Sequence, residues 1–355
     1  MSPSFDFYDK PGYLQELTRC ARRAGKGDSI TVMAMGYDVT VPEVNMLSEA
    51  LAAAAKRGAD IRLIIDACSF MLDDRERLGP LFYHGEIIAS KLRGSFKKTY
   101  DMLAVIKAQG GSYYIVNKPG RPFTFPYGSR SHIKLAIIND RFFIGGCNLD
   151  DTTYLDVMVA WGNRPTVEAL SAILQKIIDD NNHSVHQALE DTDQTLVLGD
   201  NMKIFIDCGL KHQSTILRQA HQLIDEAKER LTITCQYFPG EETGRRLLAA
   251  HKRGVDVTIY FSHPTVHGKL SLLHHFYGWR ERLSLPTSFF ENRLAKDVPK
   301  LHSKIIVTES AAMIGSHNYV SNGVNYGTAE IALLNHDPAF AKTLEKRIQA
   351  LVTQR

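Results

Sequence analysis

A chain of 355 residues, 44% of them apolar, can bury a sizeable core and has room for two domains or one large α/β unit. The net charge of +3 is too small to indicate a nucleic-acid-binding protein by itself, and no apolar run approaches the roughly 20 residues that cross a bilayer. Five dispersed cysteines argue against a zinc site or a disulfide framework, and the amino terminus lacks an apolar signal stretch, so we expect a cytoplasmic protein.

The first half of the chain opens with a predicted β-α-β unit. A helix over residues 12–26 precedes an apolar strand at 30–35, whose continuous apolar character suits a sheet covered on both faces. The next helix, at 42–57, has a proline in its first turn and ends at Gly58, and a strand follows at 61–65. Two apolar strands joined by a helix predict a parallel sheet.

The same order of elements returns in the second half. We predict a strand at 203–206, a helix at 214–229, a strand at 231–235, a helix at 242–252 and a strand at 255–260. Lys-Arg-Gly ends the second helix of each half, at Gly58 and Gly254, where cations complement the helix dipole and glycine takes a left-handed cap. We interpret these as structural residues. The acidic segment 186–201 is predicted to be an exposed linker between a first half at 1–185 and a second half at 202–355.

A second repeat carries groups suited to phosphate chemistry. His-x-Lys is followed by Gly-Gly or Gly-Ser and then by asparagine, with the same spacing in both halves. The residues are His132, Lys134, Gly145, Gly146 and Asn148 in the first half and His302, Lys304, Gly315, Ser316 and Asn318 in the second. Both His-x-Lys segments are predicted to lie on strands, at 133–139 and 303–308, where residues two apart point to one face. An imidazole and an ammonium from one strand can then meet one phosphate.

The duplicated motif resembles that of the phospholipase D superfamily. The resemblance implies an α/β fold of two pseudo-twofold related α-β-α sandwich halves with mixed, mostly parallel sheets, which form one active site and so make a monomer sufficient. Gln236-Tyr237-Phe238-Pro239, after a buried strand, is most similar to bacterial cardiolipin synthases and related phosphatidyltransferases. The aspartate of the family motif falls on Asn139 and Glu309, which puts the local turn in doubt more than the chemistry.

Cleaving a phosphodiester requires a nucleophile, an acid for the leaving oxygen and cations for the phosphoryl oxygens. The resemblance implies that His132 is the nucleophile that forms a phosphohistidine and that His302 is the general acid and later the base, although the sequence allows the two to be exchanged. Cations and neutral donors for the phosphate are expected from the remaining motif residues, Lys134, Lys304, Asn148 and Asn318.

Each histidine is expected to need a carboxylate that fixes its tautomer. Glu330 and Asp156 match the acidic positions that follow the second and first motifs, and we expect them to pair across the halves, Glu330 with His132 and Asp156 with His302. A surface charge at a strand end is the alternative for both. No metal and no other cofactor is implied, because two lysines already supply cationic stabilisation.

Aromatic residues lie beside basic ones in several segments and suggest a lipid substrate. Such residues suit an enzyme that enters a membrane interface and meets anionic headgroups. The candidates for substrate contact are Phe123, Phe125, Tyr127, Tyr237 and Phe238, with a second aromatic and basic group at 276–282. Burial in the core is the alternative for half of them.

The sequence therefore predicts a phospholipid hydrolase or transferase, peripheral at the inner membrane face, and leaves hydrolysis and transfer open. A metal-independent nuclease or nucleic-acid phosphodiesterase on the same scaffold is the main alternative, in which aromatic residues stack on bases and arginines follow the backbone. A non-catalytic binding protein is a third possibility, which two intact His-x-Lys pairs disfavour.

Overall fold

The structure, a computed structural model, describes residues 4–70, 82–83, 86–119, 129–180, 184–262, 289 and 294–353. The elements of the first half are β1 (Asp6–Asp9), α1 (Lys10–Arg23), β2 (Ser29–Ala34), α2 (Pro42–Lys56), β3 (Asp60–Asp66), β4 (Phe82–Tyr83), β5 (Glu86–Ile87), α3 (Gly94–Ala108), β6 (Ser112–Val116), β7 (Leu135–Ile138), β8 (Arg141–Gly145), β9 (Val157–Gly162), α4 (Arg164–Asp179) and α5 (Val185–Ala188). Those that follow are β10 (Gln194–Leu198), β11 (Met202–Asp207), α6 (Thr215–Glu226), β12 (Arg230–Cys235), α7 (Glu241–Lys252), β13 (Asp256–Phe261), β14 (Ala295–Asp297), β15 (Lys304–Thr308), β16 (Ala312–Gly315), α8 (Ser321–Tyr326), β17 (Glu330–Asn335) and α9 (Pro338–Thr353).

Each half is organised around one mixed sheet. The strand order is β1-β9-β8-β7-β2-β3-β6 in the first sheet and β10-β11-β17-β16-β15-β12-β13-β14 in the second. In both sheets the hairpin that begins with His-x-Lys, β7–β8 or β15–β16, pairs antiparallel with the first strand of the β-α-β unit. The predicted repeat is therefore a repeat of structure as well as of sequence.

The expectation that the sheets are mostly parallel is wrong. Parallel pairing occurs between β2, β3 and β6 in one sheet and between β12, β13 and β14 in the other. The other pairings of the two sheets, within the described residues, are antiparallel. The β-α-β pattern predicts the direction only of the strands that a helix joins. The strands of a hairpin are joined by a short turn and are therefore antiparallel.

Three apolar cores account for the layers. Along β2, Val32 packs under α1 and α2 while the next residue, Met33, faces the centre of the molecule, so both faces of the sheet are buried. The outer core of the second half lies under α6 and α7. The central core contains residues of both sheets and of α4 and α9, and it joins the two halves through residues such as Ile144 and Ile314. This shared core holds the two motifs in a fixed relation.

The Lys-Arg-Gly segments serve the helix packing, as predicted. Gly58 and Gly254 have φ values of 90° and 94°, in the left-handed region that favours glycine. The Arg57 guanidinium donates to Ala21 and Ala24 carbonyls at the end of α1, and Arg253 donates in the same way to carbonyls at the end of α6.

Part of the predicted linker at 186–201 is a strand of the second sheet. β10 pairs antiparallel with β11 along its length and forms the edge of that sheet. Leu196 and Leu198 pack against the central core, whereas Val197 between them is 65% exposed. Exposed and partly buried residues alternate along β10, as in an edge strand with one solvated face. Its Leu-Val-Leu run was a strand signal that the acidic residues nearby obscured.

Candidate active site

Two short bridges between the halves bring the motifs together. Ser131 pairs with Ala329, and Leu301 pairs with Leu155, so the residue before each motif histidine is bonded to the other half. The backbone N–H of each histidine continues the bridge, with 2.8 Å from His132 to the Ala329 carbonyl and 2.8 Å from His302 to the Leu155 carbonyl. Each bridge thus places a motif histidine beside the residue that follows the bridge in the opposite half.

Those following residues are the two predicted carboxylates. Gly145 pairs with Met158 and Gly315 pairs with Ala332, so Asp156 and Glu330 occupy the same register position two residues earlier. The predicted cross-pairing is present in the structure, and the alternative of a surface charge is wrong for both acids because each is at most 2% exposed.

The pair in which Glu330 contacts His132 is the more open of the two. His132 Nδ1 lies 3.1 Å from Glu330 Oε1, within ion-pair distance but without the geometry of a hydrogen bond. The imidazole is 24% exposed. The Ser316 hydroxyl donates to the other oxygen of Glu330. Burial would raise the pKa of Glu330, but the attraction of His132, together with His317 and Lys134, lowers it to about 2.

The pair in which Asp156 contacts His302 is tighter. His302 Nδ1 lies 2.6 Å from Asp156 Oδ2, and the Val157 N–H donates to Oδ1 at 2.9 Å. The Tyr154 ring packs against the imidazole with a centroid distance of 5.6 Å. Burial and the Lys304 ammonium lower the pKa of His302 to about 3, against the attraction of Asp156. His302 is therefore neutral at pH 7 in the free protein.

The two motif lysines are buried beside these pairs. Lys134 Nζ donates to the His132 carbonyl at 2.8 Å, and Lys304 Nζ donates to the His302 carbonyl. Burial lowers the pKa of Lys134, and burial together with the charge of Lys134 lowers the pKa of Lys304 to about 7. Two ammoniums in one enclosed site favour an anionic ligand, whose charge would restore their pKa values.

Gly146 of the first half and Ser316 of the second occupy the same motif position, and they differ for a steric reason. A Cβ atom on Gly146 would lie 2.3 Å from Asp156 Oδ1, so the carboxylate that holds His302 occupies the space of a side chain. In the second half Ser316 has that side chain and uses its hydroxyl on Glu330. Gly-Gly and Gly-Ser are therefore two ways to place a carboxylate at the same register position.

The motif asparagines also lie in this region, but their surroundings differ. Asn148 Oδ1 accepts from the Gly36 N–H at 3.2 Å. Asn318 is 8% exposed, and its Oδ1 has no hydrogen-bond partner among the described residues. Both side chains come within the motif loops that follow β8 and β16, where backbone can approach a phosphate.

The residues at the place of the motif aspartate act at the hairpin tips. Asn139 Oδ1 accepts from the Ser29 N–H at 2.9 Å, and Glu309 accepts from backbone N–H groups at 228–230. Each side chain therefore ties the end of a His-x-Lys strand to the start of the neighbouring strand, β2 or β12. Their departure from aspartate leaves this local geometry in place.

The substrate-contact candidates have mixed outcomes. Phe238 is a core residue: it is 3% exposed and packs edge-on against Phe261 and Phe289, so its assignment to substrate contact is wrong. Tyr237, beside it, is half-buried in the turn after β12. Phe123, Phe125 and Tyr127, like the group at 276–282, lie outside the described residues. The sequence alone did not show which of the aromatic residues that follow β12 is buried in the core and which is partly exposed.

Several residues near the site were not predicted. The buried Lys10 pairs with Asp150 and lies 5.7 Å from the Tyr154 ring centroid. His317 Nδ1 accepts from the Tyr319 N–H at 2.8 Å, and burial lowers the pKa of His317 to about 4. The position of Asp150, two residues after the motif asparagine, was an available signal, whereas Lys10 is remote in sequence.

The six side chains of the site include the groups that phosphodiester chemistry needs. Two imidazoles, two ammoniums and two carboxylates converge from the two halves. In the described part of the chain no three His, Cys, Asp or Glu side chains form a metal-binding group. Independence from metal stays a prediction.

Comparison with known proteins yields one family match and several structural matches. Residues 221–352 match the family model for "Cardiolipin synthase, PLD-like domain". The fold is similar to phosphatidylserine synthase from Haemophilus influenzae Rd KW20, with 13% identity and a TM-score of 0.70 over 99% of this chain and 86% of that chain. It is also similar to polyphosphate kinase from Porphyromonas gingivalis, with 14% identity and a TM-score of 0.57 over 97% of this chain and 46% of that one. No curated protein sequence gives a significant match.

Proposed function

We propose that this chain is a member of the phospholipase D superfamily and that it hydrolyses or transfers the phosphodiester of a phospholipid through a phosphohistidine intermediate. The observation that carries the proposal is the pair of motif histidines, each beside a buried carboxylate of the opposite half. A lone imidazole on a surface needs no such partner, whereas a nucleophile or a general acid needs a fixed tautomer and orientation.

The chemistry follows from the groups in place. One imidazole attacks the phosphorus atom, the bond to the leaving oxygen breaks, and the other imidazole gives that oxygen its proton. Lys134 and Lys304 stabilise the charge on the phosphoryl oxygens. Water or an alcohol then attacks the phosphohistidine, and the second imidazole takes the proton of that nucleophile.

The resemblance assigns attack to His132 and proton donation to His302. The neutral state of His302 favours the exchanged assignment, because a pKa of about 3 leaves no proton to donate in the free protein. A bound phosphodiester anion would offset the ammonium of Lys304 and raise the pKa of His302, which reconciles the first assignment with the structure. Both assignments use the same six side chains.

A lipid substrate is supported by the described function of the family model and by the name of the first structural neighbour. The structure of the described residues contains no helix long and apolar enough to cross a membrane. We propose peripheral binding at the inner membrane face because the substrate lies there, and a monomer because one chain supplies both motifs. Tyr237 remains a candidate for substrate contact.

The test is a direct assay of the purified protein. It is incubated with phosphatidylglycerol vesicles and, separately, with single-stranded and duplex DNA, with and without a chelator. We expect cardiolipin or phosphatidic acid from the vesicles, intact DNA, and no effect of the chelator. The H132A and H302A variants serve as controls for contaminating activity. Cut strands without lipid turnover would replace the proposal by the nuclease alternative.

A further inference from the structure

A buried carboxylate outside both motifs organises the approach to His132. Asp66 is the last residue of β3 and is 1% exposed. Its two oxygens accept hydrogen bonds from four groups in different segments. The donors are the Cys68 N–H at 2.7 Å, the Ser131 N–H at 2.6 Å, Asn117 Nδ2 at 2.7 Å and Arg130 Nη1 at 3.3 Å. A buried carboxylate with this many donors is a fixed point of the fold.

Two of the four donors belong to the residues that lead into the motif. Arg130 and Ser131 directly precede His132, and the Arg130 side chain is 3% exposed. On the opposite side of the same segment, the Arg130 carbonyl accepts from the Ala329 N–H at 2.8 Å, and the His132 N–H donates to the Ala329 carbonyl. The backbone of His132 is thus held by Asp66 on one side and by the second half on the other.

The second half has no matching carboxylate. Ala34 pairs with Ile65 at the end of β2 and β3, and Cys235 pairs with Phe261 at the same place in β12 and β13. Ser262 therefore occupies the position of Asp66. Its buried hydroxyl has no hydrogen-bond partner within the described residues. Among the described residues, this support occurs in the half that contains the more exposed imidazole.

We propose that Asp66 is a positioning residue that aims His132 at the phosphoryl group through the Ser131 and Arg130 hydrogen bonds. The proposal rests on the proposed function, because it assigns to His132 a reacting role. His132 has a looser carboxylate contact than His302, at 3.1 Å against 2.6 Å, so the placement of its backbone contributes more to the direction of its ring. A displacement of about 1 Å at a reacting group costs roughly 100-fold in rate.

Asp66 also acts on the charge of the motif lysine. Its carboxylate is one of four that raise the pKa of Lys134 against the larger effect of burial. The charged and titratable groups that act on Lys134 or are acted on by it are Glu330, Asp156, Asp150 and Asp66 among the acids and Lys304 and His302 among the bases. Neutralising Asp66 removes one stabilising charge, so Lys134 should lose its proton at a lower pH.

The test compares Asp66→Asn with Ser262→Ala, its counterpart in the other half. The substrate is bis(p-nitrophenyl) phosphate, a diester that requires neither lipid nor nucleic acid recognition. We expect D66N to lower kcat by about 100-fold with little change in KM. S262A should change neither. A folded D66N with full kcat overturns the proposal, as does an equal loss in S262A.

A second variant guards against misfolding of D66N. Asn117→Ala removes one donor from Asp66 and the acceptor of the Val185 N–H, and it lies outside the motif. Because φ is 54° at this position, circular dichroism checks that the variant is folded, and we expect a smaller loss in the same direction. NMR of the protein labelled with ¹⁵N-histidine gives a readout that needs no turnover. The resonances of the His132 ring are identified as those that are missing in H132N. The His132 resonances should shift in D66N and N117A and stay in place in S262A; unmoved resonances in both variants overturn the proposal. A wild-type protein that cleaves no diester refutes the proposed function, while these resonances still test Asp66.

Discussion

The two halves of the site share one motif but support their histidines by different means. His302 is 14% exposed, contacts Asp156 at 2.6 Å and packs on Tyr154. His132 is 24% exposed and lies 3.1 Å from Glu330. The tight pair relies on a glycine that leaves room for the carboxylate, whereas the open pair relies on Ser316 and on backbone support.

This difference gives the two copies of the motif different surroundings. Burial and the neighbouring Lys304 ammonium lower the pKa of His302, and a bound anion would raise it again. A more exposed imidazole can approach a substrate directly. The same four motif residues therefore give two chemical environments, because the environment is built by the surrounding halves.

The largest expected effect comes from removing each histidine. H132A should abolish turnover of a phospholipid without unfolding the protein, and H302A should lower kcat by about 10²–10⁴-fold, the usual contribution of a general acid. With a p-nitrophenyl diester, whose leaving group needs no proton, H302A should recover much of its rate while H132A stays inactive. Recovery in H132A instead would exchange the two roles. Circular dichroism checks that both variants are folded.

Exchanging the small residues of the motifs tests the steric difference. Gly146→Ser should lower kcat by about 100-fold, because its Cβ displaces the carboxylate that orients His302. Ser316→Gly removes one hydrogen bond to Glu330, worth about 1 kcal/mol, and should cost less than about tenfold. Steady-state kinetics of phospholipid turnover measures both. Equal losses would mean that the two carboxylates are held in the same way.

The lysines predict the alkaline side of the pH profile. Because burial and Lys134 lower the pKa of Lys304 to about 7, its ammonium is lost as the pH rises through that value, and kcat should fall there. Lys304→Arg keeps its charge to a much higher pH, so the fall should move upward, with a lower rate at pH 7 because the guanidinium has a different shape. If K134R moves the alkaline fall of kcat further than K304R does, the fall reports the titration of Lys134 and not of Lys304.

The smallest effect concerns stability at acid pH. Burial lowers the pKa of His317 from 6.5 to about 4, so its contribution to stability is complete above pH 6.5 and is lost as the pH falls through 4. His317→Asn should therefore make Tm fall less steeply between pH 6.5 and pH 4. Cys147→Ala, at the matching place in the first half, should leave the slope unchanged. Differential scanning fluorimetry from pH 4 to 7 measures both slopes.

Sequence periodicity predicted the elements around the site well. The helix at 42–57 and the strand at 61–65 correspond to α2 and β3 within one residue at each end, because start and stop signals are local. The antiparallel majority of the sheets was missed, because pairing direction depends on how distant segments meet. Phe238 was misassigned for the same reason: its burial is produced by Phe261 and Phe289.

The sequence by itself determined the duplicated His-x-Lys motif, because the motif residues recur at the same spacing in both halves. The acidic partner of each histidine was predicted from the resemblance to a family. Only the tertiary structure decided how the two pairs differ. The lowered pKa values of His302 and Lys304 arise from burial and from charges supplied by both halves. The support of His132 by Asp66 joins residues that are 65 positions apart for the Ser131 bond. Such contacts depend on the packing of remote segments, which no local pattern of residues records.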